Sequence, residues 1–248
     1  MHSEDDKTMA GLRALVIGGT GGIGFAVAQA MAADGARLVL HGHSLERLEA
    51  QASALRSLGA SVTTVCADLS TGDPSAALLE EARAADLLVM AYGPFVNKSL
   101  ADTTLEDWRL IAMGGLALPG IMATAAATGM AARGFGRILL FGGTRTDAIR
   151  GFKANAAYAA AKTGLGVLAK SIAVEFGGSG VSCAVICPGF VDTEYLDDPM
   201  RQRLTLASPR GGLIPVAEIA ELALSLLAGQ MDLANGSILV ADRGLYAL

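Results

Sequence analysis

Tyr158-Ala-Ala-Ala-Lys162 sets a phenol and an ammonium four residues apart in an Ala-rich stretch. On a helix, that spacing puts both side chains on one face. A free phenol, with a reference pKa of about 10, is a poor acid or base for proton transfer at neutral pH. A nearby ammonium stabilises the phenolate and is expected to lower that pKa. Tyr158 could then protonate a carbonyl oxygen as hydride arrives at its carbon, or deprotonate an alcohol in the reverse direction.

The second chemical signal is Gly18-Gly19-Thr20-Gly21-Gly22-Ile23-Gly24. It follows a short apolar run, residues 12–17, and precedes an Ala-rich helical stretch, 23–34. Glycines allow positive φ and let a phosphate come close to the backbone. The free N–H groups of the helix that follows then face the anion. A turn of this kind between a first strand and a first helix fits a dinucleotide's pyrophosphate.

These two signals need a frame, and the rest of the chain supplies one. Apolar strand-like runs at 12–17, 37–41, 61–66, 86–92, 137–141, 181–186 and 237–241 alternate with helical patterns at 23–34, 45–58, 75–84, 104–132, 155–176 and 216–228. Uninterrupted apolar strands separated by helices mean parallel strands covered on both faces. The expected fold is α/β, a doubly wound parallel sheet of about seven strands with helices on both sides. No linker or repeat divides it, so residues 11–248 read as one domain after a flexible tail at 1–10. In such sheets, ligands bind beyond the carboxyl ends of the strands, where the winding reverses.

Composition narrows the function classes. The chain has 248 residues and is 52% hydrophobic and 17% charged, too apolar for a disordered chain. Three cysteines, Cys66, Cys183 and Cys187, do not make a disulfide framework. A net charge of −5 offers no basic field for nucleic acid. The acidic start, Met1–Thr8, lacks the apolar core of a signal peptide. Leu110–Ala132 carries no charge and is long enough to span a bilayer, but its glycines, Pro119 and many alanines read as a buried or interface helix, with no membrane partner. His41-x-His43 lacks a third metal ligand, so no metal is expected. The compartment expected from these features is the cytoplasm.

In this order the motifs resemble the short-chain dehydrogenase/reductases. The resemblance runs from Gly18-x-x-x-Gly22-Ile23-Gly24 through Asp68-Leu69 and Tyr158-x-x-x-Lys162 to Pro188-Gly189-Phe190-Val191-Asp192-Thr193. It closes with Asp242-Arg243-Gly244 and covers about residues 11–245. It implies a Rossmann-like fold and hydride transfer between a nicotinamide cofactor and a carbonyl or alcohol. By resemblance, Gly18, Thr20, Gly22, Ile23, Gly24, Leu69, Gly93, Pro188 and Gly189 line the dinucleotide. Asp68 would hold the adenine edge, Lys162 the nicotinamide ribose, and Val191 with Thr193 the carboxamide.

The end of the second strand points to NADP, with NAD not excluded. No acid stands where the family places its ribose-binding Asp; Gly42 does. His43, Ser44 and Arg47 could instead supply donors to a 2′-phosphate. Other positions depart from the family. Its usual Ser after the fifth strand falls at Gly143, so Thr144 is the candidate replacement and joins Tyr158 and Lys162 as the third catalytic candidate. Its proton-relay Asn falls at Gly115, or at Gly114 if the register slips. These losses keep a rival open: a catalytically weak dinucleotide-binding regulatory or scaffold protein on the same fold.

The segment at about 192–215 matches the family's mobile lid. Its Arg201, Arg203 and Arg210, with Arg145, Arg150 and Lys153, would suit an anionic substrate or carrier, or be solvated loop charges. Ketone or aldehyde reduction is the expected activity, with 3-oxoacyl reduction as one subtype. The uncharged 110–132 helix and the Ala-rich 155–176 helix would expose unusual apolar area in a monomer, and the resemblance implies that they pair between copies, which predicts a homodimer or homotetramer.

Overall fold

The computed structural model describes residues 8–70, 73–208 and 212–246. Its strands are β1 (Arg13–Ile17), β2 (Arg37–Gly42), β3 (Val62–Cys66), β4 (Leu87–Met90), β5 (Gly136–Phe141), β6 (Val181–Pro188), β7 (Val191–Asp192), β8 (Ile214–Pro215) and β9 (Ile238–Ala241). The helices are α1 (Gly22–Ala33), α2 (Leu45–Ser57), α3 (Ala76–Ala84), α4 (Leu105–Ala112), α5 (Leu118–Arg133), α6 (Ala156–Phe176), α7 (Asp198–Ala207) and α8 (Val216–Ser225).

Seven strands form one parallel sheet in the order β3-β2-β1-β4-β5-β6-β9. The period of two along each strand sends its apolar side chains to opposite faces. On β1, Ala14 and Val16 enter a layer with α1, α2 and α8, while Leu15 and Ile17 enter a second layer with α3, α5 and α6. Both faces are therefore dry, as the uninterrupted apolar strands imply. The winding reverses between β1 and β4, which opens a crevice at their carboxyl ends. The glycine turn after β1 and residues 91–93 after β4 border it.

Local chemistry sets the helix starts. Ser44 caps α2, Ser75 caps α3, and Thr104 with Asp107 forms a reciprocal capping box on α4. By contrast, α1 starts after Gly21 with no side-chain cap of its own. Its first N–H groups are therefore available to a partner from elsewhere.

One expectation needs correction, and two segments carry added detail. Of the tail at 1–10, residues 1–7 lie outside the described residues, but Thr8–Ala10 do not behave as a tail. Met9 is fully buried in the core, and Thr8 Oγ1 and the Met9 N–H both donate to the Asp34 carboxylate, at 2.6 and 3.1 Å. The expected 104–132 helix is present as Leu105–Arg133, with a π-helical turn, Met113–Ala117, between α4 and α5. Leu105–Arg133 is long and apolar enough to cross a membrane, yet just over half of it is buried in the fold, including Met122, Ala123 and Ala126 beneath the sheet. The described residues of the 192–215 segment carry elements its sequence pattern did not show: β7 pairs with β8, and α7 is capped by Asp197 with Pro199 in its first turn. Arg210 lies outside the described residues.

Candidate active site

Two glycines shape the turn for different reasons. Gly18 adopts φ +77, and a Cβ there would also lie 3.0 Å from the Tyr92 nitrogen. Gly24 has an ordinary helical backbone, but a Cβ would lie 2.2 Å from the Gly18 carbonyl oxygen. The turn is pinned by His41, whose Nδ1 accepts from the Gly18 N–H at 3.3 Å. Its Nε2 must then carry the hydrogen and donate to the Ala67 carbonyl at 3.1 Å. Burial lowers the His41 pKa to about 4, so the ring is neutral at physiological pH. The sequence signals missed this role, although His41 lies at the end of an apolar strand. No group of three or more metal-ligating side chains occurs among the described residues.

A cavity of about 580 Å³ follows the turn. Gly18, Thr20, Gly22, Ile23, Gly24, His43, Asp68, Leu69, Gly93 and Thr193 all line it. Arg47 and Tyr195 line it too. The Ser70 N–H, donating to Asp68 at 2.9 Å, is the main cause holding this carboxyl below its usual range. Ser44 is not among the residues lining the cavity. Its Oγ accepts from the Arg47 N–H as the cap of α2, at 3.4 Å, which leaves its O–H hydrogen free to donate.

A second cavity of about 240 Å³ continues from the first through Ile23, Ala91, Tyr92 and Gly93. It contains Thr144, Tyr158, Lys162, Pro188, Gly189 and Val191. Tyr158 and Lys162 do share one face of α6, with Nζ 5.9 Å from the ring centroid. Lys162 is buried and donates to the Phe141 carbonyl at 2.8 Å. A Cβ at Gly93 would lie 2.9 Å from that Nζ, so glycine leaves room for the lysine to pass.

The expected acidification of the phenol is reversed. Burial pushes Tyr158 up to about 12 and pulls Lys162 down to about 8. At this separation, desolvation outweighs the cation. The pair therefore presents a protonated phenol, a weaker acid than a free one while the site holds no added charge. Phe95 packs edge-on against it, with centroids 4.9 Å apart.

A family model described as enoyl-(acyl carrier protein) reductase matches residues 18–246. The chain belongs to the short-chain dehydrogenase/reductase family. It is 30% identical over 242 residues to the 3-oxoacyl-(acyl-carrier-protein) reductase FabG of Escherichia coli (strain K12), covering 94% of this chain and 96% of that one. A solved short chain dehydrogenase/reductase family protein superposes with a TM-score of 0.87 at 32% identity, over 97% of this chain and 100% of the other. A 3-oxoacyl (acyl-carrier-protein) reductase from Agrobacterium tumefaciens C58, solved with NADP bound, has a TM-score of 0.89 at 27% identity, over 98% of each chain. The protein is an oxidoreductase of this family.

This short-chain dehydrogenase/reductase fills the altered positions with packing. A Cβ at Gly143 would lie 2.7 Å from Cε1 and Oη of Tyr158, so the phenol ring occupies the space of the missing side chain. Thr144 lines the cavity, but its hydroxyl donates to the Pro188 and Gly189 carbonyls, at 3.1 and 3.3 Å. In that arrangement it has no hydrogen for a substrate oxygen, so the expected replacement for serine is not poised. Thr146 is buried and bonded back to Gly143, through both its N–H and its carbonyl. Gly114 and Gly115 accommodate Pro94 and Ala161, whose atoms would lie 2.8 and 3.2 Å from an added Cβ. Their glycines thus serve close packing at the π-helical turn. Tyr92 and Phe95 line the cavities, whereas Trp108 lies partly exposed on α4.

One contact had no sequence signal. The Glu194 carboxylate accepts from the Gly22 N–H, with both oxygens at 3.1 Å, and pairs with Arg47 at 2.5 Å. A carboxylate at the start of α1 demonstrates that this N-terminus takes an anion. A pyrophosphate there must displace it. Glu194→Gln should therefore tighten NADPH binding about 3- to 10-fold, since the competing charge is lost and Arg47 is released. Fluorescence titration reads this directly; unchanged or weaker affinity would show that Glu194 does not compete.

Proposed function

We propose that the protein is an NADP(H)-dependent oxidoreductase that interconverts a ketone or aldehyde and its alcohol. The observation that carries this reading is the continuity of the cavities. The glycine cradle leads through Gly93 to Tyr158 and Lys162, and beyond Tyr158 a third cavity of about 380 Å³ opens under α7. Bound NADPH would supply the hydride at its nicotinamide ring. Gly18, Gly22 and Gly24 would hold its pyrophosphate end, Asp68 the adenine edge, and Val191 with Thr193 the carboxamide. Lys162 orients the ribose, while Tyr158 passes its proton to the carbonyl oxygen. Of the three catalytic candidates, Thr144 can contribute only by releasing the Pro188 and Gly189 carbonyls.

NADP is favoured because Gly42 leaves no carboxylate at the end of β2 to meet the ribose or repel a phosphate. Exposed His43, together with Arg47, lines that end of the cavity instead. Reduction of 3-oxoacyl substrates is one subtype, given the named relatives. The segment at 192–215, with α7, would act as the lid. The displaced serine and asparagine positions favour one rival, a weakly catalytic dinucleotide-binding regulatory or scaffold protein.

Fluorescence titration with NADPH and NADH, followed by NADPH consumption across a panel of ketones and aldehydes, tests the reading. We expect tighter NADPH binding and turnover. Tighter NADH binding would overturn the cofactor assignment, and binding without turnover would establish the rival. We also propose a homodimer or homotetramer built on α5 and α6, whose outer faces expose Ile121, Val167 and Val174; a monomer by light scattering at micromolar concentration would refute it. A cytoplasmic setting goes with the free thiols Cys66, Cys183 and Cys187.

A further inference from the structure

The cavity beyond Tyr158 is chemically one-sided. Arg145 and Arg203 line it, and no aspartate or glutamate does. Neighbouring arginines are already matched: Arg150 with Asp147, Arg201 with Asp192, and Arg47 with Glu194. Arg145 has no carboxylate partner, and its Nε is buried with no hydrogen-bond acceptor. Its guanidinium is held between rings, 4.8 Å from the Tyr246 centroid and 5.7 Å from that of Phe152. Aromatic faces fix its plane without neutralising its charge.

The same loop carries a second unsatisfied group. Asn155 also lines the cavity, and its Oδ1 is buried without a donor. Arg145 and Asn155 both adopt left-handed backbone conformations, with φ +64 and +56. Side chains seldom hold such a conformation unless surroundings enforce it, and it concentrates at functional sites. Buried polar atoms without partners call for an explanation. Both residues line the cavity that Tyr158 also lines, although these two atoms are themselves buried behind its wall.

We propose that this cavity takes a small oxo acid or hydroxy acid whose free carboxylate binds Arg145. This inference rests on the oxidoreductase reading above and adds the substrate class. Arg145 offers a planar fork that suits a carboxylate, and Arg203 brings a second cation from α7. The carboxylate takes no part in the redox step. The carbonyl carbon gains hydride from NADPH, its oxygen gains the Tyr158 proton, solvent reprotonates the phenol, and NADP⁺ leaves. A thioester substrate has no such carboxylate, so the site distinguishes free acids from acyl-carrier forms.

The test compares phenylglyoxylate, acetoacetate and 2-oxoglutarate with their methyl esters, using NADPH-loaded wild type, Arg145→Gln and Arg145→Lys. Dihydroxyacetone phosphate serves as the phosphate arm. In wild type, at least one acid should exceed its ester in kcat/KM by about 10-fold or more. Arg145→Gln should reduce that acid-to-ester ratio about 10- to 100-fold through KM, and Arg145→Lys should restore part of it. NADPH affinity and melting temperature control for folding. Equal use of acids and esters by wild type would overturn the proposal, as would preference for the phosphate or failure to use any acid. NADPH binding with no turnover of either acids or esters would instead sink the oxidoreductase reading.

Discussion

Tyr158→Phe should lower the rate of carbonyl reduction by about 10²–10⁴-fold, or about 3–5 kcal/mol of barrier, while leaving NADPH affinity within about twofold. The substitution removes one oxygen and one proton. The ring stays, so the edge-on contact with Phe95 and the packing over Gly143 remain. Lys162 keeps its bond to the Phe141 carbonyl. Binding and proton transfer are therefore separated by a single atom. The pH dependence carries its own sign. Burial holds the phenol pKa up at about 12, so Tyr158 stays protonated and reduction should not lose its acid across the neutral range. Alcohol oxidation needs the phenolate, so its rate should rise with pH over the same range. Single-turnover measurements in both directions check this. A Phe variant that keeps the wild-type rate would remove Tyr158 from the mechanism.

The elements that position Tyr158 were legible because their signals are local. Apolar runs marked the seven sheet strands to within a few residues, as dry parallel strands need side chains that tolerate burial on both faces. Ser44 lies directly before the helical repeat that starts at Leu45, so its capping role was readable too, but a phosphate donor is written with the same residue type. Other features leave little local trace. The π-helical turn at Met113–Ala117 sits inside an apolar stretch that reads as one helix. Its glycines are explained by Pro94 and Ala161, which belong to other elements. Helix α7 buries none of its residues and so has no apolar stripe to betray it; it starts on Asp197 and is tied to β7 through Arg201 and Asp192. Glu194 meets Gly22 across 172 residues of chain. Such a contact depends on the fold being complete, and no spacing rule reaches that far.

Gly24→Ala should be the most damaging small substitution in the cofactor cradle. Two effects oppose each other. Within a helix, exchanging glycine for alanine ordinarily stabilises by up to about 1 kcal/mol. Against this, the new Cβ would sit 2.2 Å from the Gly18 carbonyl oxygen and 3.0 Å from the Ala91 Cβ. The first contact is with backbone, which cannot rotate aside as a side chain does. Overpacking of this kind typically costs about 1–3 kcal/mol, so the clash outweighs the propensity gain. Relief requires α1 to move away from the turn that follows β1. That movement pulls the helix N-terminus from the cavity and disturbs Gly18, whose N–H is bound to His41. The anion site depends on both, because the N–H groups must converge on one point. We expect a weakening of NADPH binding by about 30- to 100-fold and a fall in melting temperature of a few degrees, since each kcal/mol moves the midpoint of a domain this size by about 2–4 °C. Fluorescence titration and thermal unfolding measure the two effects separately. If affinity stayed within about threefold of wild type, the close approach of α1 to the turn would not be what shapes the cradle, and phosphate recognition would have to be sought elsewhere in the crevice.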